Sequence, residues 1–287
     1  MANIRLIRRR IRGVQSIAKI TRAMEMIATS KMRRAQERGL AGRPYAEKIM
    51  QVISDLAAIP GDQPLHPLLQ RRPVSRVAIV HITPDRGLCG GLIANINRHA
   101  GTFILQQQAS VSITSVGRKG LDFMRRYGRD IRAEFTWLGD QPSLLETLPI
   151  SRIIIDDYTS GYIDAAYISY TQFVSTLTQK PAMQQVLPVQ PAVIPRAENV
   201  DYIYEPNSQE VLAGLLPRFV EMEIYHAILE SIASEQSARM VAMRNATDNA
   251  KDLVDDLTLV YNKARQEAIT KELLDITGGV AALSAAG

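Results

Sequence analysis

The chain has 287 residues, 46% of them hydrophobic and 22% charged, as in an ordinary folded protein of one or two domains. Its formal net charge is +5, and its single cysteine, Cys89, excludes an internal disulfide framework and fits a reducing compartment. No run approaches the roughly 18 apolar residues of a transmembrane helix, and the basic N-terminus lacks the apolar stretch of a signal peptide. We therefore expect an intracellular protein without a membrane span.

The first predicted element is a long amphipathic helix. Its apolar residues recur about every 3.5 positions, which keeps one stripe of a helix against a partner helix. The stripe consists of Ile4, Ile7, Ile11, Val14, Ile17, Ile20, Met24 and Ile27. Prolines at positions 60, 64, 67 and 73 indicate the end of this helix and a linker.

The same helix is strongly basic. Arginines occupy positions 5, 8, 9, 10 and 12, and Arg33, Arg34 and Arg38 follow. Such a face can bind an acidic protein surface, nucleic acid or an anionic membrane, or it can simply be solvated. The arginines alone leave these alternatives open.

The middle of the chain alternates between strand and helix patterns. Strands are predicted at 77–82, 111–116, 153–158 and 168–174, and helices at 92–107 and around 120–127. This alternation is typical of an α/β domain with a mainly parallel sheet. Prolines at 181, 188, 191 and 195 then predict an irregular return to the last helix.

The C-terminal segment predicts a second long helix, because residues 219–277 contain neither Gly nor Pro. Its stripe consists of Met243, Ala246, Ala250, Leu253, Leu257, Val260 and Ala264. At 1.5 Å per residue the helix is roughly 90 Å long, which predicts that it extends beyond a globular domain.

The predicted fold class is α/β: a long antiparallel coiled coil of the terminal helices and a central Rossmann-like α/β domain. The expected domains are 1–58, 74–208 and 209–287.

Candidate catalytic groups are few. The Gly87–Gly91 turn follows a strand and opens a helix, where phosphate loops lie, but it lacks the P-loop Lys-Ser/Thr and the GxGxxG spacing. A structural turn is therefore favoured, and Cys89 is expected to be a small buried residue rather than a reactive thiol. The four histidines show no metal-site spacing. On the last helix, Gln236 and Arg239 fall on the predicted seam, and Gln266 and Thr270 lie four residues apart on one face.

Several longer runs resemble the gamma subunit of F-type ATP synthase. They are residues 19–26 (KITRAMEM) with 30–32 (SKM), 87–91 (GLCGG), 238–243 (ARMVAM), 246–250 (ATDNA), 259–266 (LVYNKARQ) and 269–273 (ITKEL). The resemblance covers both ends densely and the middle loosely.

This resemblance implies a central rotor stalk that couples transmembrane proton flow to ATP synthesis or hydrolysis by rotation. The implied partners are three alpha and three beta subunits, the epsilon subunit and the membrane c-ring. The subunit itself is expected to be non-catalytic, without cofactor, metal or nucleic acid, and peripheral on the cytoplasmic face of the bacterial plasma membrane. By resemblance, Met24, Arg33, Arg34, Arg239, Gln266 and Thr270 contact the beta subunit.

Two other functions stay open. A coiled-coil scaffold or tether could bind nucleic acid through the basic N-terminal helix, with affinity that falls steeply with salt. An α/β enzyme could use the Gly87–Gly91 turn, and would then bind nucleotide as an isolated chain.

Overall fold

The computed structural model describes residues 4–57, 66–190 and 205–285. The predicted linker prolines at 60 and 64, and those at 191 and 195, lie outside these ranges. The chain divides into two compact units, Met1–Ile27 with Met240–Gly287, and Ala28–Arg239. We call them the helical unit and the α/β unit.

The elements are α1 (Ile4–Ala57), a 3-10 turn (Pro67–Leu69), β1 (Arg76–Ile82), α2 (Leu92–Gln106), β2 (Ser110–Val116), α3 (Arg118–Arg126), β3 (Asp130–Phe135), α4 (Leu144–Thr159), β4 (Ala165–Phe173), β5 (Gln179–Leu187) and α5 (Ser208–Ala285).

The helical unit is an antiparallel pair formed by α1 and α5. The hydroxyl oxygens of Thr21 and Thr247 lie 2.7 Å apart, and Arg244 Nε lies 2.9 Å from Glu25 Oε1. Because higher numbers on α1 face lower numbers on α5, the two helices run in opposite directions. The predicted pairing of the terminal helices is confirmed.

The seam follows most of the predicted stripes and departs from them at five positions. Ile17, Ile20, Ile27, Leu253 and Val260 were predicted to lie on it but are exposed. The covered positions include Ile4, Ile7, Ile11, Val14, Ala18, Thr21 and Met24 on α1, and Met243, Ala246, Thr247, Ala250, Val254, Leu257, Tyr261, Ala264 and Ala268 on α5. Small residues such as Ala18 and Thr21 allow close helix approach, and the neighbouring isoleucines are displaced outward.

The α/β unit contains a five-stranded sheet in the order β3-β2-β1-β4-β5. β1 pairs in parallel with β2 and β4, β2 pairs in parallel with β3, and only the β4–β5 pair is antiparallel. All of β1 after its first residue is buried, as expected for a central strand covered on both faces. The predicted mainly parallel sheet is confirmed.

Two predictions in this unit were wrong. Residues 153–158 belong to helix α4, which begins with a capping box between Ser143 and Glu146 and buries Ile150 and Ile154, four residues apart, on one face. The segment from Gln179 to Leu187 is strand β5 rather than an irregular return. It accommodates Pro181 because β5 is an edge strand, where a missing N–H breaks no pairing on the outer side.

Candidate functional site

The carboxyl ends of β1 and β4 form the edge of the sheet where parallel α/β folds bind ligands, because the strand order changes direction there. In this chain α5 occupies that position. Ser231 Oγ accepts a hydrogen bond from the Thr171 amide at 3.3 Å, and Ser234 Oγ donates to the Thr171 carbonyl at 2.9 Å. One turn further, Ser237 Oγ donates to the Thr176 carbonyl at 2.7 Å. Three serines therefore fix α5 to the end of β4 and to the loop that follows it.

Little space is left beside this helix. The cavity between the ends of β1 and β2 and α5 has a volume of about 50 Å³ and is lined by Thr83, Gly117, Ile232 and Glu235 among others. Ligand pockets usually hold about 300 Å³ or more. This cavity is therefore too small for a nucleotide.

The Gly87–Gly91 turn is hydrogen-bonded to α5. Arg239 Nη2 donates to the Gly87 carbonyl at 3.1 Å and also pairs with Glu235 at 2.6 Å. Leu88 has φ of 65°, a left-handed conformation unusual for a branched residue, and its side chain is exposed. The Arg239 guanidinium thus contacts the turn inside the α/β unit.

Cys89 lies in the same turn with 1% of its surface exposed. Burial raises the pKa of its thiol, and the Glu235 carboxylate adds to that shift, whereas Arg239 opposes it. A buried, protonated thiol is a poor nucleophile. The prediction of a small buried residue is confirmed.

The loop after β3 is hydrogen-bonded to both α1 and α5 within the α/β unit. Asp140 accepts hydrogen bonds from Lys31 Nζ at 2.6 Å and from Gln236 Nε2 at 3.1 Å. Next to it, Arg38 Nη2 donates to Gln141 Oε1 at 2.7 Å. Gln236, which the sequence placed on a coiled-coil seam, is therefore buried and hydrogen-bonded within the α/β unit.

The residues expected to contact another subunit are divided between the two units. Met24 on α1 is half-buried in the helical unit, where Gln266 and Thr270 are exposed one turn apart on α5. Arg33 and Arg34 are exposed in the α/β unit, and Arg33 pairs with Glu37 at 3.1 Å. Arg239 has only 12% of its side chain exposed. The exposed members have accessible polar groups, whereas Arg239 is engaged internally.

Sequence reasoning missed the residues that attach α5 to the sheet and to the loop after β3. Ser231, Ser234 and Ser237 recur every three residues, which places them near one another on a helix face, and this spacing was the available signal. Nothing in the sequence pairs Asp140 with Lys31, which is 109 positions away. Within the described ranges, no three His, Cys, Asp or Glu side chains are grouped as metal ligands.

His81 lies fully buried near the carboxyl end of β1. Its Nε2 donates to Asn97 Oδ1 at 2.9 Å, since an amide oxygen can only accept, and its Nδ1 accepts from the Ser169 hydroxyl at 3.1 Å. Burial lowers the pKa of His81 to about 4, although the Asn97 hydrogen bond works in the opposite direction. The imidazole is therefore neutral at physiological pH.

We expect this histidine to make the α/β unit acid-sensitive. The folded pKa lies below the unfolded value, so the unfolded state takes up the proton first as pH falls. Stability present above pH 6.5 is then lost between pH 6.5 and about 4, by about 3 kcal/mol. Urea unfolding followed by circular dichroism across this range measures the loss. His81→Gln, which cannot titrate there, should lose that part of the slope; an unchanged slope in the variant contradicts the assignment.

Comparison with known proteins places the chain in a family. A sequence model of the family described as ATP synthase matches residues 3–283. The ATP synthase gamma chain of Dehalococcoides mccartyi is 68% identical over 285 residues, covering 99% of this chain and all of the relative. The chain belongs to the ATP synthase gamma-chain family. The gamma chain of Chloroflexus aurantiacus is 53% identical over 289 residues, with 99% of this chain and all of the relative covered.

Solved structures agree with the gamma-chain fold. A chain in the Euglena gracilis mitochondrial ATP synthase, in the OSCP/F1/c-ring structure in rotational state 3, aligns with a TM-score of 0.69 at 21% identity. The alignment covers 98% of this chain and 95% of that one. A central stalk/c-ring structure from Tetrahymena thermophila gives 0.60 at 24% identity, over 79% of this chain and 99% of that one. None of the described helices has both the length and the apolar character needed to cross a bilayer.

Proposed function

We propose that this chain is the central rotor stalk subunit of an F-type ATP synthase, which couples transmembrane proton flow to ATP synthesis or hydrolysis by rotation. The observation that carries the proposal, together with family membership, is the apolar surface of the helical unit. Of the 24 described large hydrophobic residues that are exposed, 13 lie in that unit. They are Leu6, Ile17, Ile20, Met26, Ile27, Leu253, Leu259, Val260, Ile269, Leu273, Leu274, Ile276 and Val280.

Such a surface favours a protein partner, because monomeric proteins rarely expose large contiguous apolar patches. The displaced isoleucines of α1 and the leucines of α5 would face the inner surface of a ring of three alpha and three beta subunits. Polar groups such as Arg5 and Gln266 are interspersed among them. A mainly apolar contact surface favours rotation, because few directional hydrogen bonds must break at each step.

Catalysis is assigned to the beta subunits, and this chain acts on them through contact. A rotor favours a given beta conformation only if its contacts differ between conformations, so each step is a population shift set by differential contact energy. At the edge of the sheet where an α/β enzyme would hold a nucleotide, α5 is hydrogen-bonded to the end of β4. The subunit itself is therefore proposed to be non-catalytic.

A rotor must also hold its helices firmly. In the α/β unit, α5 is attached through three serines to β4 and its following loop, through Arg239 to the Gly87 carbonyl, and through Gln236 to Asp140. The segment of α5 in this unit is buried along most of its length. These contacts oppose slippage of α5 against the sheet when torque is applied.

The residues proposed to contact beta are Met24, Arg33, Arg34, Arg239, Gln266 and Thr270. Exposed Arg33 and Arg34 suit an acidic beta surface, since an exposed guanidinium can form bidentate bonds with carboxylates. Gln266 and Thr270 present hydrogen-bonding groups on one face of α5. Arg239 would reach beta only through the small exposed part of its side chain.

The remaining partners follow from the same proposal. The epsilon subunit and the membrane c-ring are proposed to bind the stalk, with the complex on the cytoplasmic face of the bacterial plasma membrane and this chain peripheral. Both attachments are tested by the experiment that tests the function. This chain is tagged in its host, membranes are solubilised, and the purified material is analysed for composition and ATPase activity.

Copurified alpha and beta subunits with ATPase activity are the expected result. Nucleic acid or an unrelated protein in place of them would contradict the rotor and favour a scaffold. Tight nucleotide binding by the isolated chain would instead favour an α/β enzyme. The three functions therefore give three different outcomes.

A first variant test concerns the polar face of α5. We expect Gln266→Leu combined with Thr270→Val to lower ATP synthesis by about fivefold, the effect of losing ~1 kcal/mol of hydrogen bonding to beta. Synthesis is measured in inverted vesicles with a fixed proton gradient. Thr258→Val, an exposed threonine on a different face of the same helix, is the matched control. Wild-type synthesis in the double variant would remove both residues from the contact set.

A further inference from the structure

A cavity of about 430 Å³ lies between helix α2 and the edge strand β5 within the α/β unit. One wall is a stripe of α2 whose residues recur every one, three or four positions and so share one side of the helix. The stripe consists of Asn95, Arg98, His99, Thr102, Phe103 and Gln106. The volume falls within the roughly 300–1,000 Å³ range of small-molecule sites.

Part of the lining is apolar. It is formed by Phe103 on α2 and by Pro181 and Met183 on β5. The Phe103 ring packs against Tyr167 of β4, with ring centroids 5.0 Å apart and an angle of 59° between the planes. Aromatic rings and methionine sulfur pack favourably against other aromatic rings, so this part of the cavity favours an aromatic body.

His99 contributes a hydrogen-bond donor. Its Nδ1 is buried without a hydrogen-bond partner among the described residues, although the side chain as a whole is only half-buried. Because an orphaned buried N–H is rarer in proteins than an orphaned acceptor, we place the proton on Nε2, on the other edge of the ring. His99 then offers an N–H group that needs an acceptor.

Arg98 supplies a positive charge. Its side chain is exposed, and none of the described carboxylates pairs with it. Asn95 and Gln106, at the two ends of the stripe, can donate further hydrogen bonds through their amide groups. The polar part of the cavity therefore favours a ligand that accepts hydrogen bonds and carries a negative charge.

We propose that this cavity binds an aromatic carboxylate, a single anionic group carried on a flat apolar body. Arg98 and His99 donate to the carboxylate, and the body packs against Phe103 and Met183. The single cation among the described lining residues matches the one charge of a carboxylate rather than the two of a phosphate monoester. The proposal does not depend on the rotor function, since the cavity lies within one unit of one chain.

The test titrates the full chain with dansylglycine, which joins a fluorescent naphthalene group to a carboxylate. We expect saturable binding with a blue shift of the emission, because the naphthalene leaves water. Dansylglycinamide, the neutral analogue, should bind at least about tenfold more weakly. Arg98→Gln should likewise weaken dansylglycine binding at least about tenfold through loss of a charge-assisted contact.

Two pairs of variants place the probe. Arg126→Gln removes the same charge from an exposed arginine of α3 that does not line the cavity, and it should leave the affinity unchanged. Thr102→Glu puts a carboxylate into the lining and should abolish binding. Leu105→Glu is its matched control, because Leu105 is an exposed residue of the same helix outside the lining. Circular dichroism verifies that all four variants are folded.

Four results overturn the proposal. They are the absence of saturable binding, equal binding of the neutral analogue, equal affinities of Arg98→Gln and Arg126→Gln, and binding that survives Thr102→Glu. The same titration of the assembled ATP synthase shows whether the mouth of the cavity stays open. Loss of binding there, with binding to the isolated chain retained, means that another subunit covers the cavity, and it is then no ligand site in the enzyme.

Discussion

Gly117→Ala is expected to destabilise the α/β unit by more than about 4 kcal/mol, enough to leave the isolated chain largely unfolded near 37 °C. An added Cβ would lie 1.8 Å from the Thr83 carbonyl oxygen, and the backbone φ of 91° is itself strained for any L side chain. Neither Thr83 nor Gly117 can shift easily, because each is hydrogen-bonded to a neighbouring strand. The Thr83 amide donates to the Val116 carbonyl at 2.8 Å, and the Gly117 amide donates to the Phe135 carbonyl at 2.7 Å.

The comparison is with Gly128→Ala. Gly128 also has a positive φ, of 61°, but an added Cβ there meets no atom within 4 Å. It should cost only about 1 kcal/mol, the penalty of left-handed backbone for alanine. Urea unfolding monitored by circular dichroism gives both values. Equal costs would show that the close approach of Gly117 to Thr83 is not what requires glycine.

Arg239→Ala is expected to cost about 3–5 kcal/mol, because it leaves the buried Glu235 carboxylate without its cation. The two side chains are only 12% and 16% exposed, and their charged groups lie 2.6 Å apart. Burial raises the pKa of Glu235 and Arg239 opposes the shift, so Arg239→Ala should move the pKa further upward. The same change removes the hydrogen bond to the Gly87 carbonyl. Urea unfolding at pH 7 measures the cost.

Arg33→Ala is the matched control, because Arg33 also pairs with a glutamate four residues away. That pair is 81% and 63% exposed and should contribute no more than about 0.5 kcal/mol. Adding Glu235→Gln to Arg239→Ala should recover a large part of the loss, since no buried charge then stays unpaired. A cost for Arg239→Ala as small as that of Arg33→Ala contradicts an internal role for this arginine.

These variants separate two roles of Arg239. If it acts on beta, coupling should fall in the Glu235→Gln, Arg239→Ala double variant even where stability is restored. If it acts only within the α/β unit, coupling should recover with stability. The ratio of ATP synthesis to ATP hydrolysis in vesicles distinguishes these results.

Much of the fold could be predicted from sequence periodicity. The 3.5-residue repeat identified both long helices and their pairing, because that spacing has few other uses. The apolar runs at 77–82 and 111–116 became β1 and β2. The exact seam could not be predicted, since residues such as Ile17 and Ala18 lie side by side and either could face the partner helix. Close approach at Thr21 and Thr247 selects the smaller residues.

The errors in the α/β unit have local causes. Three consecutive isoleucines at 153–155 favour a strand by propensity, but the capping box at Ser143 starts a helix that includes them. β3 and β5 expose polar residues and lack the long apolar run of a central strand. The residues named by resemblance lie on the two long helices that the sequence predicted, and their contacts with beta stay a prediction. The contacts of Arg239 and Gln236 depend on tertiary pairing that no local pattern carries.

Rotation of this chain inside the alpha and beta ring can be observed in single molecules. The ring is fixed to a surface, and a bead is attached through Leu177→Cys in the exposed loop between β4 and β5, where Leu177 is 79% exposed. Cys89 is buried and would not compete for the label. ATP should drive unidirectional rotation of the bead in steps of one third of a turn. ATP hydrolysis at a normal rate with a bead that does not turn would contradict the rotor account.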